Sequence, residues 1–310
     1  MQARGVRAGA TPTTHRHGLR ARMWRARNAY LFIAPFYVAF LIFGLGPILF
    51  SFYLSLVTWS GFDQIRFVGL HNFQLLFSDD LFWTALGNTM YLWLGHIFIM
   101  LALALVLALL LNARWLKFRG VFRALVYLPN VGAAAAVALV FAMIFDTNYG
   151  ILNRLLHLVG LPAVNWLGSA DWSKPSIIIL NIWNITGWFM LILLAGLQTV
   201  DPVLYEAAAI DSANGFRKLL HVTLPGLRKI LLFCFIIETI GSLQVFAEPL
   251  VLTQGGPDNS SLSLALYLYQ TGITNLRLGY AGAISLALFV LTVTFSLVQA
   301  WFFRGEAGAE

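Results

Sequence analysis

Charged residues are scarce in this chain. Asp, Glu, Lys and Arg make up 11% of its 310 residues, whereas a soluble globular domain carries roughly 25%. Hydrophobic residues reach 59%, and the mean hydropathy is +0.78. The scarcity of charge excludes an ordinary soluble protein and predicts that much of the chain lies in lipid.

Cysteine and the common catalytic motifs are also missing. Cys234 is the one cysteine in the sequence, so it offers neither a disulfide pair nor a zinc or haem spacing. The chain has no G-x-x-x-x-G-K-[ST] phosphate loop, no H-E-x-x-H and no G-x-S-x-G. The histidines are scattered, and His96, which lies in an apolar run, is interpreted as a hydrogen-bonded packing residue rather than a metal ligand. We therefore expect no enzyme activity and no cofactor in this chain.

Long apolar runs dominate the sequence. A helix needs about 20 apolar residues to cross a hydrocarbon core of roughly 30 Å, and six runs meet this length. The first is too long for the core of a cleaved signal peptide, so we expect it to remain as a span. The prediction is an all-α integral membrane protein with six transmembrane helices, at approximately Tyr30–Val57, Phe82–Asn112, Val121–Phe145, Ser176–Thr199, Ile230–Leu252 and Tyr280–Phe303.

The basic residues indicate the orientation of these spans. Cytoplasmic flanks of membrane helices collect Lys and Arg. With both termini in the cytoplasm, sixteen of the 20 Lys and Arg residues fall on the cytoplasmic side. The four on the outer side are Arg66, Arg154, Lys174 and Arg277. This asymmetry predicts an N-in, C-in protein.

The chain divides into a membrane domain and two short tails. Residues 1–29 are basic and poor in core-forming side chains, so we expect a disordered cytoplasmic tail. Its arginines favour contact with the lipid surface over binding to nucleic acid. The transmembrane domain is expected over residues 30–303, with a cytoplasmic loop at 201–225, and residues 304–310 form a C-terminal cytoplasmic tail.

The loop at residues 201–225 is the most polar ordered-looking segment. Asp201 can cap a helix that begins at Pro202, and this helix carries three consecutive alanines. The pair Asn214-Gly215 can break it and start a second helix, which Pro225 would end. The result is a helix–bend–helix hook, which physical reasoning alone leaves open as either a docking site or a mere connection.

The hook carries a recognisable motif. Its sequence EAAAIDSANGFRKLLHVTLP resembles the EAA motif of permease subunits in binding-protein-dependent ATP-binding-cassette importers. FRGVFRALVYLPNVGAAAAV, LLAGLQTVDPVLYEAA and GSLQVFAEPLVLTQGGP are similar to the sugar-transporter subgroup, specifically the first of its two permeases. Ser212 departs from the motif, which usually has Gly there. The matching positions are Glu206, Ala207, Ala208, Asp211, Ala213, Val222, Leu224 and Pro225.

The resemblance implies a fold, a location and partners. It implies the type I ABC importer permease fold in the inner or plasma membrane of a prokaryote. The expected partners are a second permease, two cytoplasmic ATPase subunits that bind ATP and Mg, and an extracytoplasmic solute-binding protein. The EAA loop would form a coupling helix on the ATPase, with its contact built from Glu206, Ala207, Ala208, Asp211, Ser212, Ala213 and Pro225.

Ser212 leaves two conformations open for the bend of the hook. If the usual Gly is required for a positive φ, Ser strains the bend. If the backbone is ordinary there, Ser can cap the second helix instead.

Polar residues within the spans suggest a path for solute. Charged groups in a membrane usually face a cavity or a partner. Span five holds four polar residues within an arc of roughly 160° at 100° per residue, and span four holds a stripe at spacings of three and four. Helix–helix hydrogen bonding is the alternative role. The residues predicted to line the pathway are Asn181, Asn184, Trp188, Glu238, Ser242, Gln244 and Glu248.

Three functions remain in competition at this point. The first is a subunit of an ATP-driven importer for a sugar, with a glycerol-phosphate-type solute as the alternative cargo. The second is a stand-alone secondary carrier in which Glu238 is linked to proton movement. The third is a membrane anchor that assembles other proteins.

Overall fold

The computed structural model describes residues 27–113 and 115–304. It divides into two compact units, the first ending at Phe50 and the second beginning at Ser51. Among the described residues nearly all regular structure is helical. The one sheet is a two-stranded antiparallel ladder of β1 (Val57–Thr58) and β2 (Arg66–Phe67), which the all-α prediction did not include.

The first apolar run is helical from its first described residue. Helix α1 (Arg27–Phe40) continues through a π-helical turn at Leu41–Leu45 into α2 (Gly46–Ser55). Residues 27–29 therefore belong to a helix rather than to the disordered tail that the sequence predicts, because the helix extends beyond the apolar residues of the run. The rest of that predicted tail, residues 1–26, and the end of the C-terminal tail, residues 305–310, lie outside the described residues.

Two long helices form the centre of the second unit. Helix α4 (Asp80–Asn112) is capped by Asp79, whose side chain accepts a hydrogen bond from the Leu81 N–H, and it packs against α8 (Ala170–Leu197). Small and flexible side chains let the two helices approach. The buried core between them and the fifth span is made by Met100, Ala104, Ala108, Phe189, Met190, Leu193, Leu227 and Cys234.

The third predicted span is not one continuous helix. Helix α5 (Arg119–Tyr127) passes into a 3₁₀ turn at Leu128–Val131, and α6 (Ala134–Ile144) leaves at an angle of 97°. Gly132 and Ala133 are extended, with ψ angles of 145° and 132°. Because extended residues cannot continue the helical ladder, the expected helix Val121–Phe145 is broken in two.

Pro225 does not end the second helix of the cytoplasmic hook, contrary to the prediction. Helix α10 (Gly215–Lys218) runs through a π-helical segment at Leu219–Thr223 directly into α11 (Leu224–Leu243). Pro225 is accommodated next to the π-helical segment, in the first turn of α11, where a missing N–H is least costly. The hook and the fifth span are therefore one helical run.

Short elements complete the second unit. Helix α7 (Ile151–Leu158) lies between the third and fourth spans. By length and apolarity five helices of the described chain can cross a membrane, or six if the bent third pair is one span. The remaining helices are α3 (His71–Phe77), α9 (Pro202–Ile210), α12 (Ala247–Leu252), α13 (Leu264–Tyr269), a π-helical turn at Gln270–Thr274, and α14 (Leu278–Arg304).

Candidate solute cavity and coupling loop

A cavity of about 330 Å³ lies among α4, α8 and the α11–α12 segment. The first residue of α6, Ala134, also lines it, because the break in the third span brings the start of α6 to the cavity wall. Six of the seven predicted pathway residues are in its lining: Asn181, Asn184, Glu238, Ser242, Gln244 and Glu248.

Trp188 is placed elsewhere. The described residues that line the cavity do not include it. Its ring instead packs against the core between α4 and α8 and meets Phe189 edge to face, with ring centroids 4.8 Å apart. The spacing of three and four residues therefore brings Asn181 and Asn184 together at the cavity and leaves Trp188 one turn beyond it.

The polar residues of the fifth span do not lie on one straight helix. Helix α11 ends at Leu243, Gln244 is its C-terminal cap, and Glu248 belongs to α12. The arc calculated for a continuous helix therefore does not describe the positions after Leu243. Gln244 and Glu248 line the cavity from the two sides of this interruption.

Glu238 is held by two side chains. Nδ1 of His96 lies 3.0 Å from Oε1 of Glu238, and the Ser242 hydroxyl donates to the same oxygen at 2.7 Å. His96 and Glu238 are 3% and 2% exposed. A buried carboxylate needs such partners because the cost of burying an unpaired charge is high. His96 therefore has the hydrogen-bonded packing role that its residue type suggested, but its partner Glu238 lies far away in sequence and was not predictable.

The broken third span supports the cavity wall on α8. The side-chain amide of Asn184 donates to the carbonyl oxygen of Pro129 at 2.9 Å. One turn further, a Cβ added to Gly187 would lie 2.0 Å from the carbonyl oxygen of Val126. Only glycine permits this approach of the two backbones. Asn184 thus has both a structural contact and a place in the cavity lining.

The first helix of the cytoplasmic hook begins as the sequence predicts. The Asp201 side chain accepts a hydrogen bond from the N–H of Val203 at 2.9 Å, and Pro202 is the first residue of α9. The second helix is capped by Asn214, whose Oδ1 accepts from the Arg217 N–H at 2.9 Å. Ser212 does not serve as that cap.

Ser212 has the left-handed backbone conformation, with φ = 54°. Its N–H donates to the Ala209 carbonyl at 3.0 Å, and the Ala213 N–H donates to the Ala208 carbonyl at 2.9 Å. These two bonds define a Schellman motif at the end of α9, in which the left-handed residue is usually glycine. The structure thus selects the first of the two possibilities left open for Ser212. The backbone has a positive φ there, and an L-residue in this conformation is strained.

The hook exposes an apolar surface. Its members are the residues whose side chains remain largely uncovered in this chain: Val203 at 62%, Leu204 at 51%, Ile210 at 85% and Phe216 at 67%. Glu206 and Ala207 lie on the same exposed helix, whereas Ala208 is half-buried. We call these four apolar side chains, together with Glu206 and Ala207, the coupling surface.

One hydrogen bond ties α9 to the next span. Oη of Tyr205 lies 3.0 Å from Oγ1 of Thr223, which is 3% exposed. The Thr223 hydroxyl also donates to the Lys218 carbonyl at 3.3 Å, so Tyr205 is the donor to Thr223. From this point the same helical run continues to Glu238 at the cavity.

Asp79, which is half-buried, forms a second carboxylate site at the start of α4, and the sequence did not reveal it. Its Oδ2 accepts hydrogen bonds from the hydroxyls of Tyr267 and Tyr280. Burial alone would raise the pKa of Asp79, but the hydrogen bonds from these tyrosines and from the backbone of Leu81 and Phe82 outweigh it and lower that pKa. The cluster joins the start of α4 to α13 and α14.

No group of three or more potential metal ligands occurs in the part of the chain that the structure describes. The polar side chains at the cavity are amides, a hydroxyl, carboxyl groups and the imidazole of His96, which suit hydrogen bonding to a polyhydroxyl solute.

Comparison with known proteins gives consistent matches. The family described as "Binding-protein-dependent transport system inner membrane component" matches residues 100–306. The lactose transport system permease protein LacF of Rhizobium radiobacter is 36% identical over 277 residues, covering 88% of this chain and 92% of LacF. The trehalose/maltose transport system permease protein MalF of Thermococcus litoralis is 36% identical over 277 residues, with the same coverage.

A solved structure has the same fold. A bacterial ABC transporter involved in the import of the acidic polysaccharide alginate contains a chain that superposes with a TM-score of 0.81 at 25% identity, covering 93% of this chain and 99% of that one. The fold is thus that of an ABC importer permease. On the family match and the curated relatives, the chain belongs to the inner-membrane components of binding-protein-dependent transport systems.

Proposed function

We propose that this chain is one of two permease subunits of an ATP-driven importer and that its cavity lies on the path of a sugar. The observation that carries the proposal is the placement of six separately predicted polar residues around one cavity, at the far end of the helical run that begins in the EAA loop. Relatives that transport lactose and trehalose or maltose favour a sugar over a glycerol-phosphate-type solute.

The partners follow from the loop and from the family. The coupling surface is the kind of exposed apolar patch that marks a protein interface, and it suits a groove on a cytoplasmic ATPase. Two such ATPase subunits would bind ATP and Mg, since this sequence has no phosphate-binding loop. A second permease would complete the pathway, and a solute-binding protein would deliver the cargo.

The structure suggests how the loop and the cavity communicate. The run from Gly215 to Glu238 is helical throughout, and 23 residues of helix span about 35 Å at 1.5 Å per residue. Movement of α9 would reach this run through the hydrogen bond between Tyr205 and Thr223. A shift of the run would then move Glu238 and Ser242 relative to α4 and α8. This movement would change the access of solute to the cavity.

The pathway is tested by uptake into proteoliposomes that contain the complete complex. Asn184→Ala combined with Gln244→Ala should lower uptake while the complex remains assembled. Asn148→Ala with Gln74→Ala, two exposed positions outside the cavity lining, is the matched control. Normal uptake by the first double variant would assign Asn184 and Gln244 to helix–helix packing alone.

The coupling contact has a separate test. Glu206→Lys should weaken association with the ATPase subunits, measured by copurification, while membrane insertion is unchanged. Asp80→Lys, an exposed acid at the start of α4, makes the same charge change away from the loop and should have no effect. Equal copurification of both variants would argue against the contact.

A further inference from the structure

The ionisable groups of the cavity are unbalanced in sign. Among the described residues that line it, Glu238 and Glu248 are acids and His96 is the one base; no Lys or Arg is included. A solute in this cavity therefore meets carboxylates without a guanidinium or ammonium group to offset them.

The one basic group is engaged through one of its two ring nitrogens, Nδ1, whereas its Nε2 has no hydrogen-bond partner among the described residues. Nδ1 of His96 lies 3.0 Å from Glu238 Oε1 and 3.3 Å from Ser242 Oγ. Because an imidazole has a single hydrogen on Nδ1, this side of the ring is committed to Glu238 and Ser242. The second carboxylate oxygen, Oε2 of Glu238, has no hydrogen-bond partner among the described residues.

The nearest lysine on α8 is also occupied. Nζ of Lys174 donates to the side-chain oxygen of Asn88 at 3.1 Å and lies 5.2 Å from the centre of the Tyr91 ring. Lys174 precedes Asn181 by seven residues, which is about 10 Å along a helix. It is not part of the cavity lining.

We propose that this cavity accepts uncharged hydroxyl-bearing solutes and rejects anionic ones, with Glu238 and Glu248 as the specificity-determining residues and His96 as the positioning residue for Glu238. This inference rests on the proposed solute pathway. A sugar hydroxyl donates to a carboxylate or amide oxygen, so a neutral sugar satisfies the lining. A carboxylate or phosphate on the solute would lose its water without gaining a countercharge.

The electrostatic part is tested with a cysteine at the cavity. Gly241 lines the cavity and has no atom within 4 Å of an added Cβ, so Gly241→Cys fits there in a Cys234→Ser background. The complete complex is treated with cationic, anionic and neutral methanethiosulfonates. The thiolate forms a mixed disulfide and methanesulfinate leaves. Each rate is divided by the rate with free cysteine, and Val159→Cys on an exposed outer loop is the control.

We expect the anionic reagent to react at least about tenfold more slowly than the cationic one at Gly241→Cys, since a cleft of one charge sign concentrates counter-ions by at least that factor. Glu248→Gln and Glu238→Gln should each reduce the ratio of the cationic rate to the anionic rate. Equal normalised rates, or a ratio unaffected by both variants, would overturn the charge rule. Failure of the neutral reagent to react would show a closed cavity and would contradict the proposed pathway itself.

The solute class is tested by saturation-transfer NMR on the complex without its binding protein. The probes are methyl glucoside and methyl glucuronoside, which differ at the carboxylate. We expect saturation of the neutral probe and at least about tenfold weaker saturation of the anionic one, with the difference reduced in Glu248→Gln. Equal saturation would overturn the proposal. Saturation of neither probe would count against a solute site in this cavity, and so against the proposed pathway as well.

Discussion

Nδ1 of His96 on α4 lies 3.0 Å from Oε1 of Glu238 on α11, and both side chains are buried. The contact joins two spans at the wall of the cavity. It also explains how a carboxylate can remain in an apolar bundle, since buried charges in membranes are paired with one another. The stability of the bundle and the chemistry of the cavity therefore depend on the same pair.

Removing one partner of this pair should be costly. His96→Leu leaves Glu238 with the Ser242 hydroxyl as its described side-chain partner and should lower the free energy of unfolding by about 3–5 kcal/mol. His96→Asn places an amide near the position of Nδ1 and should recover part of this loss. Denaturant unfolding in detergent measures both variants, and a His96→Leu protein as stable as the wild type would show that the pair contributes nothing.

Ser212→Gly should stabilise the end of α9. The left-handed conformation costs an L-residue about 1–2 kcal/mol, of which the greater freedom of glycine in the unfolded chain cancels a part. We expect a net gain of about 0.5–1 kcal/mol, read as slower hydrogen exchange of the Ala213 N–H. In Ser212→Val the Ala213 N–H should exchange faster than in the wild type, because a branched side chain tolerates this conformation least. An unchanged rate in both variants would indicate that the bend is not strained.

Gly187→Ala should separate α8 from α5. The added methyl group would meet the Val126 carbonyl at 2.0 Å, so a backbone must move at a cost of about 1–3 kcal/mol. Gly87→Ala is the matched control, because an added Cβ there has no neighbour within 4 Å, and it should be neutral or stabilising by up to about 1 kcal/mol. Similar unfolding midpoints for the two variants would contradict the close approach.

The Asp79 cluster predicts a dependence of stability on pH. The folded pKa of Asp79 is lowered, so its contribution is fully present above the unfolded value of about 3.9 and is lost as the pH falls through the folded pKa. Unfolding curves between about pH 7 and pH 2 should therefore show a smaller acid-induced loss of stability for Asp79→Asn than for the wild type. Parallel curves for the two proteins would exclude this contribution.

Tyr205→Phe should weaken communication between the loop and the cavity. It removes the donor to Thr223 and leaves the ring in place. A net hydrogen-bond contribution of about 0.5–1.5 kcal/mol corresponds to about a two- to tenfold loss of solute-stimulated ATP hydrolysis by the complex. A complex that contains Tyr149→Phe, a change at an exposed outer position, should hydrolyse ATP at the normal rate. A loss of the same size in both variants would point to a general effect of tyrosine removal.

The sequence was sufficient where the signal is local. Asp201 and Pro202 start α9 because their capping chemistry depends only on neighbouring residues. Likewise, the spacing of Asn181 and Asn184 was sufficient to place them on one side of α8. Apolar length identified the spans, because lipid selects for it directly.

Other features depend on tertiary structure. The break at Gly132 and Ala133 lies within a run that is long and apolar enough to be taken for one span, so the length of the run did not reveal it; Pro129 and Gly132 were the available signals. The His96–Glu238 contact joins residues distant in sequence. The conformation of Ser212 is set by the Schellman hydrogen bonds, which residue type alone does not predict.

The most direct test of the account is sugar uptake into sealed vesicles, with this chain supplied alone or in the complete complex. The account predicts accumulation only when the second permease, the ATPase subunits, the binding protein and ATP are all present, with no requirement for a proton gradient. Accumulation by the purified chain alone under a proton gradient, without any ATPase, would contradict it and would identify a secondary carrier.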